Sequence, residues 1–235
     1  MKLNITYNEP CIQTLKGMKD DSINHVITSP PYNMNLRIRY GKYCSRSIDT
    51  NEFSTKYEGF NDNLPIEKYY DFHGEVLNEC LRVASGLVFY QIQIVTGSKR
   101  PWFKLIGDYH QELKDIIIWD KGHAQPSMAP AVLNKQSELI LVFDKNNSIS
   151  RQFPQANFDR GTLSDIWQIN RQRSVNKKHR ATTPEALIEK IILNFTHKHD
   201  IIYDPFMGTG TTGKVAIRND RYYIGSEINE NYINS

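Results

Sequence analysis

The feature that most restricts the fold of this 235-residue chain is a strand-like run that ends in a glycine-rich turn and passes at once into a helix. Ile201-Ile202-Tyr203 leads into Asp204-Pro205-Phe206-Met207-Gly208-Thr209-Gly210-Thr211-Thr212, and Thr211 to Arg218 reads as helical. Open α/β sheets bind their ligands at such turns, outside the carboxyl ends of the strands. Gly208 and Gly210 allow a turn free of side chains, so a ligand can approach the backbone and the helix N-terminus closely. The stretch lacks the lysine of a phosphate loop, and its Gly213 makes it a near match to the dinucleotide fingerprint. Glu227 follows 23 residues beyond Asp204, after the strand candidate Tyr222-Tyr223-Ile224-Gly225, where an acid can hold two vicinal ribose hydroxyls.

The rest of the chain repeats the alternation of strand and helix. Short strands are expected at Asn4 to Asn8, Ile23 to Thr28, Leu87 to Tyr90, Ile116 to Trp119 and Leu139 to Phe143. Helices are expected at Gln13 to Met18, Glu67 to Val83, Pro101 to about Gln111 and Pro184 to Phe195. The Glu67 to Val83 stretch carries Tyr69, Phe72, Val76, Leu77, Cys80 and Leu81 at helical spacing. Strands bounded by helices imply a mostly parallel sheet covered on both faces, hence an α/β class and one domain over residues 1–235.

Two regions break the alternation, 34–65 and 145–180, and connections of that length are often binding loops. Within the first, Arg37, Arg39, Lys42 and Arg46 are unaccompanied by acid until Asp49. The second ends in five basic residues between Arg171 and Arg180 with no acid among them, a one-signed charge suited to phosphates. The whole chain carries a formal charge of only +3, so distribution says more than total. No apolar run approaches the roughly 20 residues needed to span a bilayer, and the opening residues do not form a secretory signal, so a cytoplasmic protein is expected. The 3 cysteines lack zinc-like spacing and are odd in number, which excludes a disulfide framework and a structural metal as expectations.

A second device follows the strand candidate Val26-Ile27. In Ser29-Pro30-Pro31-Tyr32 the two prolines have no N–H, so the carbonyls of Ser29 and Pro30 can be aimed outward as acceptors. Acceptors that hold an exocyclic amine through its hydrogens turn the nitrogen lone pair toward an electrophile. Tyr32 offers a ring on which a base drawn out of the helix can stack. Taken by itself, Ser-Pro-Pro is also a common turn and Tyr32 a fitting core aromatic.

Together, the two stretches resemble the S-adenosylmethionine-dependent DNA amino-methyltransferases, which modify the exocyclic nitrogen of cytosine or adenine. In that family an Asp- or Ser-Pro-Pro-Tyr/Phe stretch holds the amine, and an Asp-Pro-Phe-x-Gly-x-Gly-Thr-Thr stretch holds the methionine part of the cofactor. The order here, catalytic before cofactor, is similar to the permuted β arrangement with a target-recognition region between them. The resemblance covers nearly the full length. It implies a Rossmann-like fold on a seven-stranded sheet, Ser29, Pro30, Pro31 and Tyr32 as the amine site, and Asp204, Pro205, Phe206, Gly208, Gly210, Thr211, Thr212 and Glu227 around the cofactor. Relatives often carry Gly-Asp-Cys before the first helix, whereas this chain has Glu9-Pro10-Cys11, so Asn8 or Glu9 takes the cofactor-side role. His179-Arg180-Ala181-Thr182-Thr183-Pro184 departs from the usual His-Pro-x-x-Lys-Pro at Arg180 and Thr183.

Direct transfer needs no covalent enzyme intermediate, and Cys11 is read as a small apolar filler. Serine in the first position favours cytosine N4 over adenine N6 by resemblance. Duplex DNA is the implied partner, contacted through Arg37, Arg39 and Lys42 and through a recognition insertion at 145–180 carrying Arg151, Arg160, Arg171, Arg173, Lys177 and Lys178, for a site of four to six base pairs. A restriction endonuclease is the implied functional partner, not stably bound, and the enzyme is expected as a monomer or weak homodimer. An RNA or protein-glutamine methyltransferase, or an inactive DNA-binding protein, would share parts of this pattern.

Overall fold

The computed structural model describes residues 2–34, 36–40, 42–45, 62–124, 130–147, 150–171 and 183–233. In chain order the elements are β1 (Ile5–Tyr7), α1 (Cys11–Lys16), β2 (His25–Thr28), β3 (Leu36–Arg39), β4 (Lys42–Ser45), α2 (Ile66–Val83), β5 (Val88–Ile92) and α3 (Lys99–Asp108). Then follow β6 (Leu113–Asp120), β7 (Ser137–Phe143), β8 (Ile166–Gln168), α4 (Glu185–Phe195), β9 (Ile201–Asp204), α5 (Thr211–Arg218), β10 (Tyr222–Ser226) and α6 (Glu230–Ile233).

Among the described residues one sheet has 8 strands in the order β1-β10-β9-β2-β5-β7-β6-β8, and β3 with β4 forms a separate hairpin. The expected seven-stranded sheet is therefore widened by β8, which pairs parallel with β6 through Trp119 and Trp167. Its three residues lie in the stretch expected to be a recognition insertion and are too few to establish a period. Only β7 runs against the rest, antiparallel to both β5 and β6. That reversal brings the start of β7 to the sheet edge where the other strands end.

Side chains alternate across the sheet with a period of two, as pleating requires. Val26, Val88, Tyr90, Leu141, Tyr203 and Ile224 join α1, α2 and α3 in one core cluster. Ile27, Phe89, Ile140, Val142 and Ile202 join α4 and α5 in the other. Strands buried on both faces explain why their sequences read as continuous apolar runs rather than alternating ones.

The expected elements are present with shifted ends. Pro101 is the third residue of α3 rather than its first, because the chain turns helical two residues earlier, at Lys99. In region 34–65 the described residues include a hairpin that pairs Leu36 with Ser45 and Arg39 with Lys42. Asn33, fully buried and at a left-handed φ of 56°, anchors its base by donating to the carbonyls of Leu64 and Gly97 at 2.9 Å each. Among the described residues, no helix is long and apolar enough to cross a membrane, and no cluster of three or more His, Cys, Asp or Glu could hold a metal ion.

Candidate active site

The two motifs lie on adjacent strands. β2 and β9 pair in parallel with Val26 opposite Tyr203, so Thr28 and Asp204 reach the same edge. Asp204 is buried, at 4% exposure, and both its oxygens are engaged. Oδ1 accepts from the Thr28 hydroxyl at 2.7 Å and from the Phe206 N–H at 3.0 Å, and Oδ2 accepts from the Thr212 hydroxyl at 2.7 Å. One carboxyl thus ties the strand before Ser-Pro-Pro-Tyr to the start and the end of the glycine turn. Burial pushes it up to about 6 despite these three donors, and the charge of Glu227 adds to the rise.

The turn itself is built for close approach. Gly208 and Gly210 hold φ of 54° and 82°, the left-handed region that glycine occupies without steric cost, and a side-chain carbon added at either would meet no atom within 4 Å. Glu227 closes one side of the turn: Oε2 accepts from the Gly208 N–H and Oε1 from the Asn229 N–H, each at 2.8 Å. Asn8 donates to the Glu227 carbonyl at 2.9 Å, while the Glu9 carboxylate accepts from Gln13 and Thr14 at 2.7 Å each, so both lie beside this end of the sheet. Phe206 packs edge-on to Phe72 and near His73, whose ring burial holds down to about 3 and therefore neutral. Cys11 is buried and its thiol is pushed up to about 12 by that burial, which suits a filler and not a nucleophile.

Met207 seats on Gly225 of β10, where an added methyl would lie 2.4 Å from the Met207 Cε. Gly225→Ala is therefore expected to push Met207 outward and loosen the turn, lowering stability by about 1–3 kcal/mol. Affinity for the S-adenosylmethionine that the sequence leads one to expect at this turn should fall about tenfold, equivalent to about 1.4 kcal/mol. Calorimetric titration of the variant checks this, and wild-type affinity would mean that the turn does not depend on this seat.

On the other side of β2, Tyr32 is 5% exposed and its hydroxyl is at the centre of a polar network. It donates to Glu138 Oε2 at 2.9 Å, accepts from Gln91 Nε2 at 3.1 Å, and lies 2.9 Å from Ser29 Oγ. Gln91 also donates to Glu138 Oε2 at 2.8 Å and accepts from the Thr183 hydroxyl at 3.3 Å. The Lys121 ammonium, with no exposed side-chain surface, reaches Glu138 Oε1 at 3.2 Å, and Arg171 approaches the same oxygen at 3.8 Å. Burial holds the Lys121 ammonium below the usual lysine range, with Glu138 opposing and Arg171 adding to that fall. Tyr69 donates to the Pro31 carbonyl at 2.7 Å and fixes the backbone of the motif from α2.

Sequence reasoning named Ser29 and Tyr32 but missed Glu138, Lys121 and Gln91. Glu138 heads an apolar strand and Lys121 follows another, positions where charged residues are ordinarily solvated, and only the antiparallel pairing of β6 with β7 brings them together. Of the DNA-contact candidates, Lys42, Arg151, Arg160 and Arg171 are exposed, and Arg171 reaches the network. Arg37 and Arg39 lie on β3, opposite Cys44 and Lys42. Arg173, Lys177, Lys178 and the 179–182 stretch lie outside the described residues.

Residues 23–235 match the model of a DNA methylase family of N6/N4 type. The chain is 28% identical to the Type II methyltransferase M.BglII of Bacillus subtilis, over 98% of this chain and 67% of that protein. Among solved structures it is similar to the cytosine-N4-specific PvuII DNA methyltransferase, with a TM-score of 0.68 and 19% identity over 97% of this chain and 82% of that one. A complex of M1.HpyAVI with SAM gives a TM-score of 0.64 and 22% identity over 97% and 94%. At these identities the two structures establish the fold.

Proposed function

Because the chain belongs to the N6/N4 DNA methylase family, whose members use S-adenosylmethionine, we propose that it methylates the exocyclic N4 amine of cytosine in duplex DNA. The chain is a DNA methyltransferase by that membership; the choice of cytosine rests on Ser29. The Tyr32 proton is committed to Glu138, so the Ser29 hydroxyl donates to Tyr32 and turns its lone pairs outward as a neutral acceptor. With the Pro30 carbonyl, that acceptor would hold the two hydrogens of the amine and direct its lone pair away from them.

The glycine turn fits the cofactor, since open space borders Gly208 and Gly210 and a carboxylate stands at its rim. Phe206, Gly208, Gly210 and Thr211 would line it, Glu227 would receive its ribose hydroxyls, and Asn8, Glu9, Pro205 and Thr212 would shape its edges. Bound there, the cofactor supplies an already activated methyl group. Asp204 acts from behind, holding the turn against Thr28. Tyr32 would line the base pocket as the flipped base enters. The basic hairpin residues Arg37, Arg39 and Lys42 and the 145–180 region, with Arg151, Arg160, Arg171, Arg173, Lys177 and Lys178, are assigned to DNA, reading a site of about four to six base pairs. The Type II name of its relative suggests a place beside a restriction endonuclease.

Nucleoside mass spectrometry of unmethylated duplex DNA, after incubation with the chain and S-adenosylmethionine, decides the base. N4-methyldeoxycytidine is the expected product. N6-methyldeoxyadenosine would reverse the base and keep the mechanism, and neither product would move the search to RNA or a protein glutamine.

A further inference from the structure

Resting on that reading, we propose that Glu138 is the terminal proton acceptor of the amine site, reached from the target nitrogen through Ser29 and Tyr32. Methylation leaves the nitrogen with one proton in excess. A carboxylate beside the amine could take that proton directly, but a serine hydroxyl cannot retain it. In this chain the hydroxyls of Ser29 and Tyr32 and the Glu138 carboxylate stand in series, at 2.9 Å for each of the two steps.

The donor count fixes the direction. The single Tyr32 proton points to Glu138 Oε2, and Gln91 donates to both the Tyr32 oxygen and the same carboxylate oxygen, so Ser29 is left as the donor to Tyr32. As the nitrogen lone pair forms its bond to the methyl carbon, the carbon–sulfur bond breaks with its electrons on sulfur. The N–H bond then breaks toward Ser29 Oγ as the Ser29 proton passes to Tyr32 and the Tyr32 proton to Glu138. Both hydroxyls are restored, and the net change is one proton moved from nitrogen to carboxylate. Among the described residues the charged groups that face Glu138 are Lys121 at the end of β6 and Arg171 beyond β8, with Gln91 of β5 and Tyr32 as polar neighbours and Thr183 donating to Gln91 in turn. Glu138 is thus a positioning residue that acts through Tyr32 and Ser29, with Lys121 as its counter-charge.

The test compares wild type with Glu138→Gln, Tyr32→Phe and their double variant in single-turnover methylation of duplex DNA across pH. Each single variant is expected to slow transfer about 100-fold, the ordinary worth of a positioned proton acceptor. The double variant should be no slower than either, because both interrupt one path. The acidic limb of the wild-type rate profile should vanish in Glu138→Gln, and Glu138→Asp should restore part of the rate. In the free protein, without cofactor or DNA, the Tyr32 hydroxyl proton should give an exchange-protected downfield resonance, absent in Tyr32→Phe and moved in Glu138→Gln. Glu138→Gln leaves Lys121 without its carboxylate, so Glu138→Gln/Lys121→Met serves as the folded control and should show the same loss. Multiplicative losses in the double variant, an unaltered pH profile or a wild-type rate in Tyr32→Phe would overturn the relay while leaving DNA methylation standing. A wild-type chain that methylates no duplex overturns the functional reading, and the relay with it.

Discussion

Asp204→Ala is expected to abolish useful cofactor binding, weakening it at least about 100-fold, equivalent to about 2.7 kcal/mol. The substitution removes the acceptor shared by Thr28, Thr212 and the Phe206 N–H, and so releases the glycine turn from the strand that carries the proposed amine site. Leaving those buried donors unmatched should also lower stability by about 3 kcal/mol, with the hydroxyls rotating to limit the loss. Titration calorimetry and urea unfolding measure the two effects separately. Near-normal affinity would show that the turn keeps its shape without the carboxyl.

The same residue sets a pH dependence. Its carboxyl sits at about 6 in the folded chain, against an ordinary value of 3.8, so between those limits the folded state binds more protons than the unfolded state. Its contribution to stability is complete below about pH 4 and is lost as pH rises through about 6, a decline of about 3 kcal/mol from this group. Asp204→Asn, which retains an acceptor and cannot ionise, should lack that decline. Its stability relative to wild type should therefore improve steadily from pH 4 to pH 7, and parallel curves would refute the assignment.

Tyr32→Ala is expected to lose at least about 99% of turnover, as the proposed proton path and the proposed base-lining ring are removed together. Cofactor affinity should stay within about threefold, because Tyr32 belongs to the network on the far side of β2 from the glycine turn. The buried ring leaves a cavity, and truncations of that size cost about 3–5 kcal/mol. Activity must therefore be compared at a temperature where the variant is folded. Unchanged methylation by folded Tyr32→Ala would remove Tyr32 from the amine site.

How much of this was legible in the sequence depends on where the information lies. Strand followed by special turn is a local pattern, so Ser29 to Tyr32 and Asp204 to Thr212 could be read directly, as could the parallel, doubly covered sheet. Leu36 and Ile38 alternating with Arg37 and Arg39 also carried a period of two, but basic side chains drew the reading toward phosphate contact and away from a hairpin. The eighth strand was too short to carry any period. A strand-ending Asp204 can accept from its turn or from a ligand; its oxygens accept from Phe206 and Thr212 of the turn, and the partner that a local window does not reveal is Thr28 on the neighbouring strand. Glu138 and Lys121 were invisible for a stricter reason. Their meeting depends on β7 reversing direction, and strand direction is a property of the whole topology, not of a local window.

The Thr28–Asp204 hydrogen bond spans 176 residues of chain. During synthesis at about 5–20 residues per second, Ser-Pro-Pro-Tyr would wait roughly 10–35 seconds for the turn that completes its site. Chains released early from the ribosome would carry Ser-Pro-Pro-Tyr without the turn beside it. A messenger cut short before Asp204 would therefore yield protein without the turn proposed to hold the methyl donor, so that on this reading completeness of translation becomes a condition of the chemistry.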